Sequence, residues 1–420
     1  MTKSQKTDMA LPQSSSLPDG WHTVRFGDVA NKISDIVDRK NCDLDHFVAG
    51  EHMQTDDFRI KDWGTIDEGY LGPAFNHKFI KGQILYGSRR TYLRKVSIPH
   101  FDGVYANTTF VIEPTGDDLI PELLPFVMQS AGFNEQSIRM SKGSTNPYIN
   151  WKDIACYEFA VPEKEQQQRI ATTLWAAEDC IVKAERFVAA AEEAKQVLMR
   201  ELFSKGIGHN EFKNVIGLGK IPAIWNCDLL DQLVQQVSVG IVQKPASYYV
   251  ENGIPTLRSL NIQENRIIPE DMVYISPKDN DTVLSKSKLR KGDVLVVRTG
   301  YPGTSCVVPN EYEGKNCIDL IIVRTGVRLF NEYLSRYLNS PEGKQQIFSR
   351  SAGLAQQHLN IAEIKKLLIP YGSLEEQRQI AAILTRCDET IAAARANVIA
   401  AKALKMKMIN EMLGDEAQNR

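Results

Sequence analysis

The most regular hydrophobic pattern in the chain is a heptad repeat of apolar and small residues within 163–205. Spacings of four and three alternate throughout, which is the period of a coiled-coil face on an α-helix. This seam consists of Ile170, Leu174, Ala177, Ile181, Ala184, Val188, Ala191, Lys195, Leu198 and Leu202. At about 1.5 Å per residue, a helix of this length would be on the order of 60 Å long. The pattern therefore predicts a long spacer helix.

A second seam appears when 210 is added to each of these residue numbers. Its members are Ile380, Leu384, Cys387, Ile391, Ala394, Val398, Ala401, Lys405, Met408 and Met412. The small residues at every seventh position would let two helix backbones approach closely, so the two helices suit each other as partners. Each seam has one polar member, Lys195 or Lys405, and we expect its stem to lie along apolar surface with its amine in water.

The same offset also relates the segments between the helices. Residues 81–85 match 291–295 and Gly143 matches Gly353 at this offset. The Pro-x-x-Trp of Pro18 also returns, at Pro222, with a slightly different spacing. Such recurrence predicts an internal duplication of globular segment, helix, globular segment and helix. Residues 205–220 are expected to be a polar linker, which is too short to return along such a helix, so an antiparallel helix pair is favoured.

These patterns predict an α+β fold with two mixed globular domains separated by two long antiparallel coiled-coil helices in a pseudo-twofold internal repeat. The predicted boundaries are a tail without fixed structure at 1–16, domains at 17–162 and 206–373, helices at 163–205 and 374–414, and a tail at 415–420. Within the first domain we expect strands at 83–86 and 105–113 and one helix at 119–140.

Composition narrows the class of protein without selecting one. The 420 residues are 43% hydrophobic with a formal net charge of −2, so any site for a polyanion requires local charge separation. Seven cysteines without zinc-type spacing argue against a disulfide framework and favour a reducing cytoplasm. No apolar run is long enough to span a membrane, and residues 1–16 lack the apolar core of a signal peptide.

Local charge separation occurs at residues 77–95, which contain six Lys or Arg residues and no acidic residue, interleaved with tyrosines. The matching stretch 286–301 carries five basic residues against one Asp and ends in Tyr301. Lys and Arg neutralise phosphates, and Arg is the usual bidentate reader of guanine. The alternative interpretation is a solvated sheet edge protected by Lys.

A second candidate is the pair of polar, Gly-containing loops 141–150 and 351–360, since Asn and Gln side chains suit adenine. Ordinary turn chemistry is the alternative. Two globular domains held apart by a rigid helical spacer suit a rod-shaped ligand with two separated recognition sites. Duplex DNA is such a ligand. The candidate DNA-contacting residues are Arg89, Arg90, Tyr92, Arg94, Lys95, Lys142, Ser144, Thr145, Asn146, Tyr148, Arg258, Arg298, Thr299, Tyr301, Gln356, Gln357 and His358.

Enzymatic motifs are absent or incomplete in the sequence. Asn146-Pro-Tyr148 lacks the second proline of the amino-methyltransferase motif, and residues 217–220 lack the spacing of a P-loop. The seven histidines form no H-x-x-x-H pair, so no metal site is predicted. No catalytic residue is nominated.

Two segments resemble a signature of the specificity subunits of type I restriction-modification systems. Val161-Pro162 is followed by Glu165-Gln-Gln-Gln-Arg-Ile-Ala171 and Leu174, and Ile369-Pro370 by Glu375-Glu-Gln-Arg-Gln-Ile-Ala381 and Leu384. The segments with Trp21 and Trp225 resemble those that open each target-recognition domain in this family. The first copy has Gln166 where the second has Glu376, and residues 165–167 allow two registers.

The resemblance implies a non-catalytic subunit, in the cytoplasm of a bacterium or archaeon, whose two target-recognition domains each read one half of a split, asymmetric site in double-stranded DNA. It implies no cofactor on this chain. The expected partners are two methyltransferase subunits, which use S-adenosylmethionine to methylate adenine N6, and restriction subunits that use ATP and Mg²⁺. The alternatives are the recognition component of a combined methyltransferase and nuclease that cuts on both sides of its site, and a coiled-coil scaffold that binds no nucleic acid.

Overall fold

The computed structural model describes residues 17–37, 43–66, 72–351 and 358–414. The chain divides into two compact units, unit 1 with Met1–Glu185 and Ala396–Arg420, and unit 2 with Arg186–Arg395. Both predicted tails lie outside the described residues. Each unit contains one globular segment and a part of each long helix.

The globular part of unit 1 is built from short strands and helices. Its strands are β1 (His22–Arg25), β2 (Ala30–Ile33), β3 (Asp35–Ile36), β4 (His46–Val48), β5 (Gly64–Thr65), β6 (Phe75–Phe79), β7 (Ile84–Gly87), β8 (Val96–Ser97), β9 (Gly103–Ala106), β10 (Thr109–Pro114) and β11 (Glu158–Val161). Its short helices are α1 (Phe26–Val29), α2 (Leu124–Gln129), α3 (Ala131–Arg139) and α4 (Trp151–Ala155). The long helix α5 (Lys164–Lys205) follows.

Unit 2 repeats this plan. Its strands are β12 (Phe212–Val215), β13 (Gly219–Pro222), β14 (Asn226–Leu229), β15 (Val234–Val239), β16 (Tyr249–Val250), β17 (Ile254–Leu257), β18 (Ile262–Gln263), β19 (Arg266–Ile267), β20 (Val273–Ile275), β21 (Val294–Val297), β22 (Ser305–Val307), β23 (Asn316–Cys317), β24 (Leu320–Thr325) and β25 (Leu368–Tyr371). Its helices are α6 (Pro277–Asp281), α7 (Asn331–Asn339), α8 (Pro341–Ser351) and α9 (Ile361–Lys365), and the long helix α10 (Leu374–Met412) ends the described fold.

Sheet topology confirms the internal duplication. The order β2-β10-β7-β8 in unit 1 returns as β15-β24-β21-β22 in unit 2, and the pair β1-β11 returns as β14-β25. A parallel pair occurs in the second sheet of each unit, β4 with β9 and β17 with β23. The α+β class and the repeat predicted from the sequence are therefore both present.

Three local predictions were wrong in detail. The strand expected at 105–113 is two strands, because residues 107–108 form a turn between β9 and β10. The helix expected at 119–140 is interrupted at Ser130, whose hydroxyl accepts a hydrogen bond from the Phe133 amide and caps α3. The stretch expected to be a polar linker contains the hairpin β12–β13, with positive φ at Gly217 and Gly219.

The seam residues are inside the structure, as their period predicts. Every member of both seams is buried or half-buried, including Ile170, Leu174, Ala177, Ile181, Ala184, Val188, Ala191, Ile380, Leu384, Ile391, Ala394, Val398 and Ala401. In unit 1, Ile170 and Leu174 pack in the same core as Ile409 of α10. In unit 2, Leu202 packs in the same core as Ile380.

Ion pairs show that the helices run antiparallel within each unit. In unit 1, Glu178 pairs with Lys405 at 2.8 Å, and Glu185, further along α5, pairs with the earlier Lys402 at 2.6 Å. Unit 2 shows the same reversed order, in which a residue further along α5 pairs with an earlier residue of α10. There, Glu192 pairs with Arg395 at 2.6 Å and Lys195 with Asp388 at 2.5 Å.

The expectation that both seam lysines hold their amines in water was wrong. Lys405 is 1% exposed, and its amine donates to the Glu178 carboxylate and, at 3.2 Å, to the Asp56 carbonyl. Lys195 is only 11% exposed and pairs with Asp388. Because Glu178 and Asp388 are related by the same offset as the two lysines, the two pairs are reciprocal. We call them the seam pairs.

A repeated geometry ties the first turn of each long helix to its own unit. The Gln167 side chain accepts from the Ile120 amide at 2.9 Å and donates to the Asp118 and Pro162 carbonyls at 2.8 Å each. Gln377 makes the same three hydrogen bonds in the second copy, with the amide of Phe330 and the carbonyls of Arg328 and Gly372. Gln167 is therefore the counterpart of Gln377, which settles the register of residues 165–167.

Candidate DNA interface

In unit 1 the two candidate segments found in the sequence form one surface. Residues 88–94 follow β7, and residues 141–150 lead into α4; together we call them loop pair 1. The Ile149 amide donates to the Ser88 carbonyl at 2.9 Å, and the Arg90 amide to the Pro147 carbonyl at 2.7 Å. Segments that are well separated in sequence are thereby joined through their backbones.

Loop pair 1 is held in an uncommon backbone conformation. Arg90 and Arg94, on either side of the 3₁₀ turn Thr91–Leu93, both have φ of 50°. Such left-handed values are rare outside glycine and persist only where neighbouring contacts impose them. The Thr91 hydroxyl lies 3.1 Å from that of Ser141 and connects the turn to the second segment. The surface is consequently pre-formed.

Most candidate side chains of loop pair 1 are exposed. These are Arg89, Arg90, Tyr92, Lys142, Ser144, Thr145, Asn146 and Tyr148. Tyr92 and Tyr148 are 51% and 44% exposed, and exposed aromatic side chains of this kind are typical of binding surfaces. The Arg90 Nε donates to the Asn146 Oδ1 at 2.9 Å. Cationic, amide and aromatic groups thus share this surface.

Three basic candidates have carboxylate or carbonyl partners inside unit 1. Arg94 donates to the Asp56 carboxylate at 2.8 Å and to the Gln129 carbonyl at 2.9 Å, so it anchors the turn. The Lys95 amine donates to the Gly50 carbonyl at 2.5 Å, and burial, with the nearby charge of Arg90, lowers the pKa of Lys95. These contacts give Arg94 and Lys95 a supporting position beneath the loop.

Lys142 is the third of these basic residues, and it pairs with Asp153 of α4 at 3.1 Å. Hydrogen bonds from Asn150 and Lys142 lower the pKa of Asp153, which keeps this carboxylate charged. The contact fastens one end of the second segment to α4. This contact was not predicted from the sequence, because Asp153 lies outside the basic stretch 77–95 and the polar loop 141–150.

Unit 2 has the same backbone pairing at equivalent positions. The Leu359 amide donates to the Arg298 carbonyl at 3.0 Å, and this hydrogen bond matches the one between Ile149 and Ser88. Thr299 forms an isolated antiparallel β-bridge with His358, as Arg89 does with Tyr148 in unit 1. We call residues 298–301 and 358–360 together loop pair 2. Gln356 and Gln357 lie outside the described residues.

Arg298 has three hydrogen-bond partners within unit 2. Its guanidinium donates to the Asp319 carboxylate at 2.6 Å and the Leu359 carbonyl at 3.1 Å, and lies 2.5 Å from the His358 Nε2. The Thr299 hydroxyl lies 2.9 Å from the His358 Nδ1. Arg298 therefore positions His358, and Asp319, which sequence reasoning missed, fixes Arg298.

The remaining described candidates of unit 2 lie on different segments. Tyr301 is 84% exposed, whereas Arg258 precedes the 3₁₀ turn Ser259–Asn261 next to β17 and donates to the Asp271 carbonyl. Arg258 accordingly follows a strand of a different sheet from that of β21, the strand that leads into loop pair 2. Its nomination from the sequence remains a prediction.

Within the part of the chain that the structure describes, no three His, Cys, Asp or Glu side chains are grouped so as to hold a metal ion. No described helix has the length and apolar character needed to cross a membrane.

Comparison with known proteins agrees with the repeated architecture. The family described as "Type I restriction modification DNA specificity domain" matches residues 18–186 and 248–401. The type I restriction enzyme MjaVIII specificity subunit of Methanocaldococcus jannaschii is 24% identical over 280 residues, which cover 65% of each protein. The putative MjaX specificity subunit of the same organism is 21% identical and covers 94% of this chain and 93% of that protein.

Solved structures share the fold. A chain from a structure described as "Structural basis underlying complex assembly and conformational transition of the type I R-M system" has a TM-score of 0.62 at 21% identity, covering 95% of this chain and 99% of that chain. The S subunit of a type I restriction-modification system from M. genitalium has a TM-score of 0.52 at 11% identity, covering 96% and 98%. With its repeated signature and the family match over most of its length, the chain belongs to the DNA-specificity family of type I restriction-modification systems.

Proposed function

We propose that this chain is the non-catalytic subunit that selects the DNA sequence for a cytoplasmic type I complex. Unit 1 would read one half of a bipartite, asymmetric site and unit 2 the other half. The observation that carries this proposal is the pair of loop surfaces built on the same backbone pairing at equivalent positions of the two copies, with different side chains. Recognition of two different half-sites requires different base-contacting side chains, and here they stand on the same backbone scaffold.

The chemistry of the loop pairs supports contact with DNA. Loop pair 1 offers cationic groups for phosphates, and an arginine, an asparagine and tyrosines that can meet base edges. Loop pair 2 offers a histidine held by Arg298 and the exposed Tyr301. Under this proposal the chain binds no cofactor. Partner methyltransferase subunits carry S-adenosylmethionine, and restriction subunits carry ATP and Mg²⁺.

Methylome sequencing of a host that expresses the chain with its methyltransferase subunits tests the proposal. We expect one asymmetric motif made of two half-sites and a fixed gap. Arg89→Ala should change recognition in one half only, and His358→Ala in the other half only. A single undivided motif would contradict the proposal that each unit recognises its own half-site. An equal loss of recognition at both half-sites from either variant would contradict it too.

The long helices are proposed to set the gap between the half-sites. Four residues inserted after Ala189, an exposed position of α5, should change the tolerated gap or abolish recognition. The same sequencing experiment measures this. An unchanged gap preference would remove the spacer role while leaving the reading role intact.

A further inference from the structure

We propose that Arg90 reads a guanine in the half-site recognised by unit 1, and that Asn146 is the positioning residue that orients the Arg90 guanidinium. The inference rests on the proposed function and adds to it a specific base and a division of labour within loop pair 1. It starts from the hydrogen bond between the Arg90 Nε and the Asn146 Oδ1.

Arg90 is fixed at its backbone and exposed at its side chain. Its amide donates to the Pro147 carbonyl at 2.7 Å, and its carbonyl accepts from the Leu93 amide at 2.8 Å. The Nε contact with Asn146 then fixes the guanidinium plane. Within the described residues, the two terminal nitrogens of Arg90 have no acceptor. Two parallel donors are therefore left for a ligand outside the chain.

The pattern of donors selects the base. The arginine side chain has only donors. The Asn146 side-chain oxygen already accepts from the Arg90 Nε, so the second lone pair of this oxygen is the one acceptor that the two side chains still offer. In the major groove guanine offers two adjacent acceptors, N7 and O6, while adenine offers one acceptor beside a donor and cytosine a donor. Two parallel donors match guanine. A phosphate also offers two acceptors, and the experiment must distinguish it.

Unit 2 provides an internal comparison. Position 300, the counterpart of Arg90, is glycine with φ of 91°. The arginine of loop pair 2, Arg298, already donates to Asp319 and Leu359 and is 12% exposed. The proposed contact therefore belongs to unit 1 alone, and variants of Arg90 should leave the other half-site unchanged.

Binding selection from a pool of randomised duplexes tests the inference, using the full chain assembled with its methyltransferase subunits. For the unaltered chain we expect one position of the first half-site to be guanine. Arg90→Gln should relax that preference by about tenfold or more, which is the scale of one bidentate base contact. Arg25→Gln removes the same charge from an exposed pair with Glu158 on β11 and should leave every position unchanged.

Asn146 variants test the positioning role. Asn146→Ala should relax the same guanine position by a smaller factor, because Arg90 stays but its plane is no longer fixed. Asn146→Asp keeps an acceptor for Nε and should retain the guanine preference. A merely structural role would predict loss of affinity with no change at that position, and failure of the aspartate variant to retain guanine would overturn the role of Asn146.

The outcomes separate the inference from the proposed function. If Arg90→Gln weakens binding to all sequences equally and reduces the salt dependence by about one phosphate contact, Arg90 touches phosphate and the guanine assignment is wrong. If Arg90→Gln leaves the selected motif unchanged, the guanine assignment is also wrong. If the unaltered complex selects no bipartite sequence, the proposed function itself has failed.

Discussion

Loop pairs 1 and 2 share their backbone pairing and differ in the use of arginine. In unit 1 the pairing position is the uncharged Ser88, and Arg90, two positions later, is exposed. In unit 2 the pairing position is Arg298, which is held inside, and Gly300 stands two positions later. The backbone hydrogen bonds hold both surfaces whatever the side chains are, so base preference can differ between units without a change of fold.

The seam pairs show the same principle inside the protein. Lys405 and Glu178 are 1% and 7% exposed, while Asp388 is 31% exposed and accepts from both Lys195 and Arg336. The positions are equivalent, but one pair lies in the core and the other belongs to a partly solvated network. Equivalent substitutions should therefore have unequal costs.

The largest effect should come from Lys405→Met. Removing the amine leaves Glu178 as an uncompensated buried charge, so we expect the free energy of unfolding to fall by about 3–5 kcal/mol. Lys195→Met should cost less, because Asp388 keeps the Arg336 guanidinium at 2.7 Å. Urea denaturation measures both. Adding Glu178→Leu to Lys405→Met should recover most of the loss, and equal costs for the two lysines would contradict the comparison.

Gln167→Ala and Gln377→Ala should each cost about 2–3 kcal/mol, since each removes three hydrogen bonds and leaves backbone groups without their partner. Here the units should behave alike, because the three partners are equivalent. Hydrogen exchange of Ile120 and Phe330 would locate each loss in its own unit. A difference larger than about 1 kcal/mol, the scale of a single hydrogen bond, would show that the two ties are not equivalent.

Glu376→Ala should lower the free energy of unfolding by about 1–2 kcal/mol. The Glu376 carboxylate accepts from the indole of Trp225, which is fully buried, at 2.8 Å, and lies 2.8 Å from the His209 Nε2. Its counterpart Gln166 is exposed, so Gln166→Ala should stay within about 0.5 kcal/mol of the unaltered protein. Thermal denaturation of the matched pair checks this, and a larger cost for Gln166→Ala would be contrary.

The smallest expected effect is a loss of stability in acid from Glu185. Burial alone would raise the pKa of Glu185, but hydrogen bonds from Lys402, Lys61 and Arg59 outweigh it and lower the pKa to about 2. A lowered folded-state pKa stabilises the protein above the ordinary value of 4.5, and this contribution is lost as pH falls from there toward 2. Salt screening keeps it modest.

Denaturation at pH 5 and pH 3 measures this contribution. Glu185→Gln should reduce the difference in stability between the two pH values. Glu192→Gln, in the exposed pair with Arg395 of unit 2, should leave the contribution of Glu185 in place. Persistence of the full difference in Glu185→Gln would exclude this carboxylate as its source.

The sequence predicted the parts of the fold that follow a period. Alternating spacings of three and four identified both long helices and their buried faces, and the recurrence of matching segments, many of them 210 residues apart, identified the duplication. The hairpin β12–β13 was missed although Gly217, between the two short strands, and Gly219, at the start of the second, are a turn signal. The environment of Lys405 was also missed, because its partner Glu178 lies far away in sequence and next to the seam rather than in it.

The candidate interface was predictable as a set of segments and not as a set of roles. Basic and polar composition located loop pair 1, yet nothing in that composition separates exposed Arg90 from Arg94, which Asp56 holds inside. The same is true of Arg298, whose partner Asp319 follows a different strand. Such distinctions depend on residues that only the folded chain brings within hydrogen-bond distance.

The reciprocity of the seam pairs also selects helix direction. If α5 and α10 lay side by side in the same direction with their repeats aligned, Lys195 would face Lys405 across the seam, and Glu178 and Asp388 beside the seam would lose their lysine partners. One like-charge contact and two unpaired carboxylates would replace two attractive pairs, at a cost that partial burial makes severe. One charge of each sign per helix therefore disfavours the wrong orientation without any change in the hydrophobic residues.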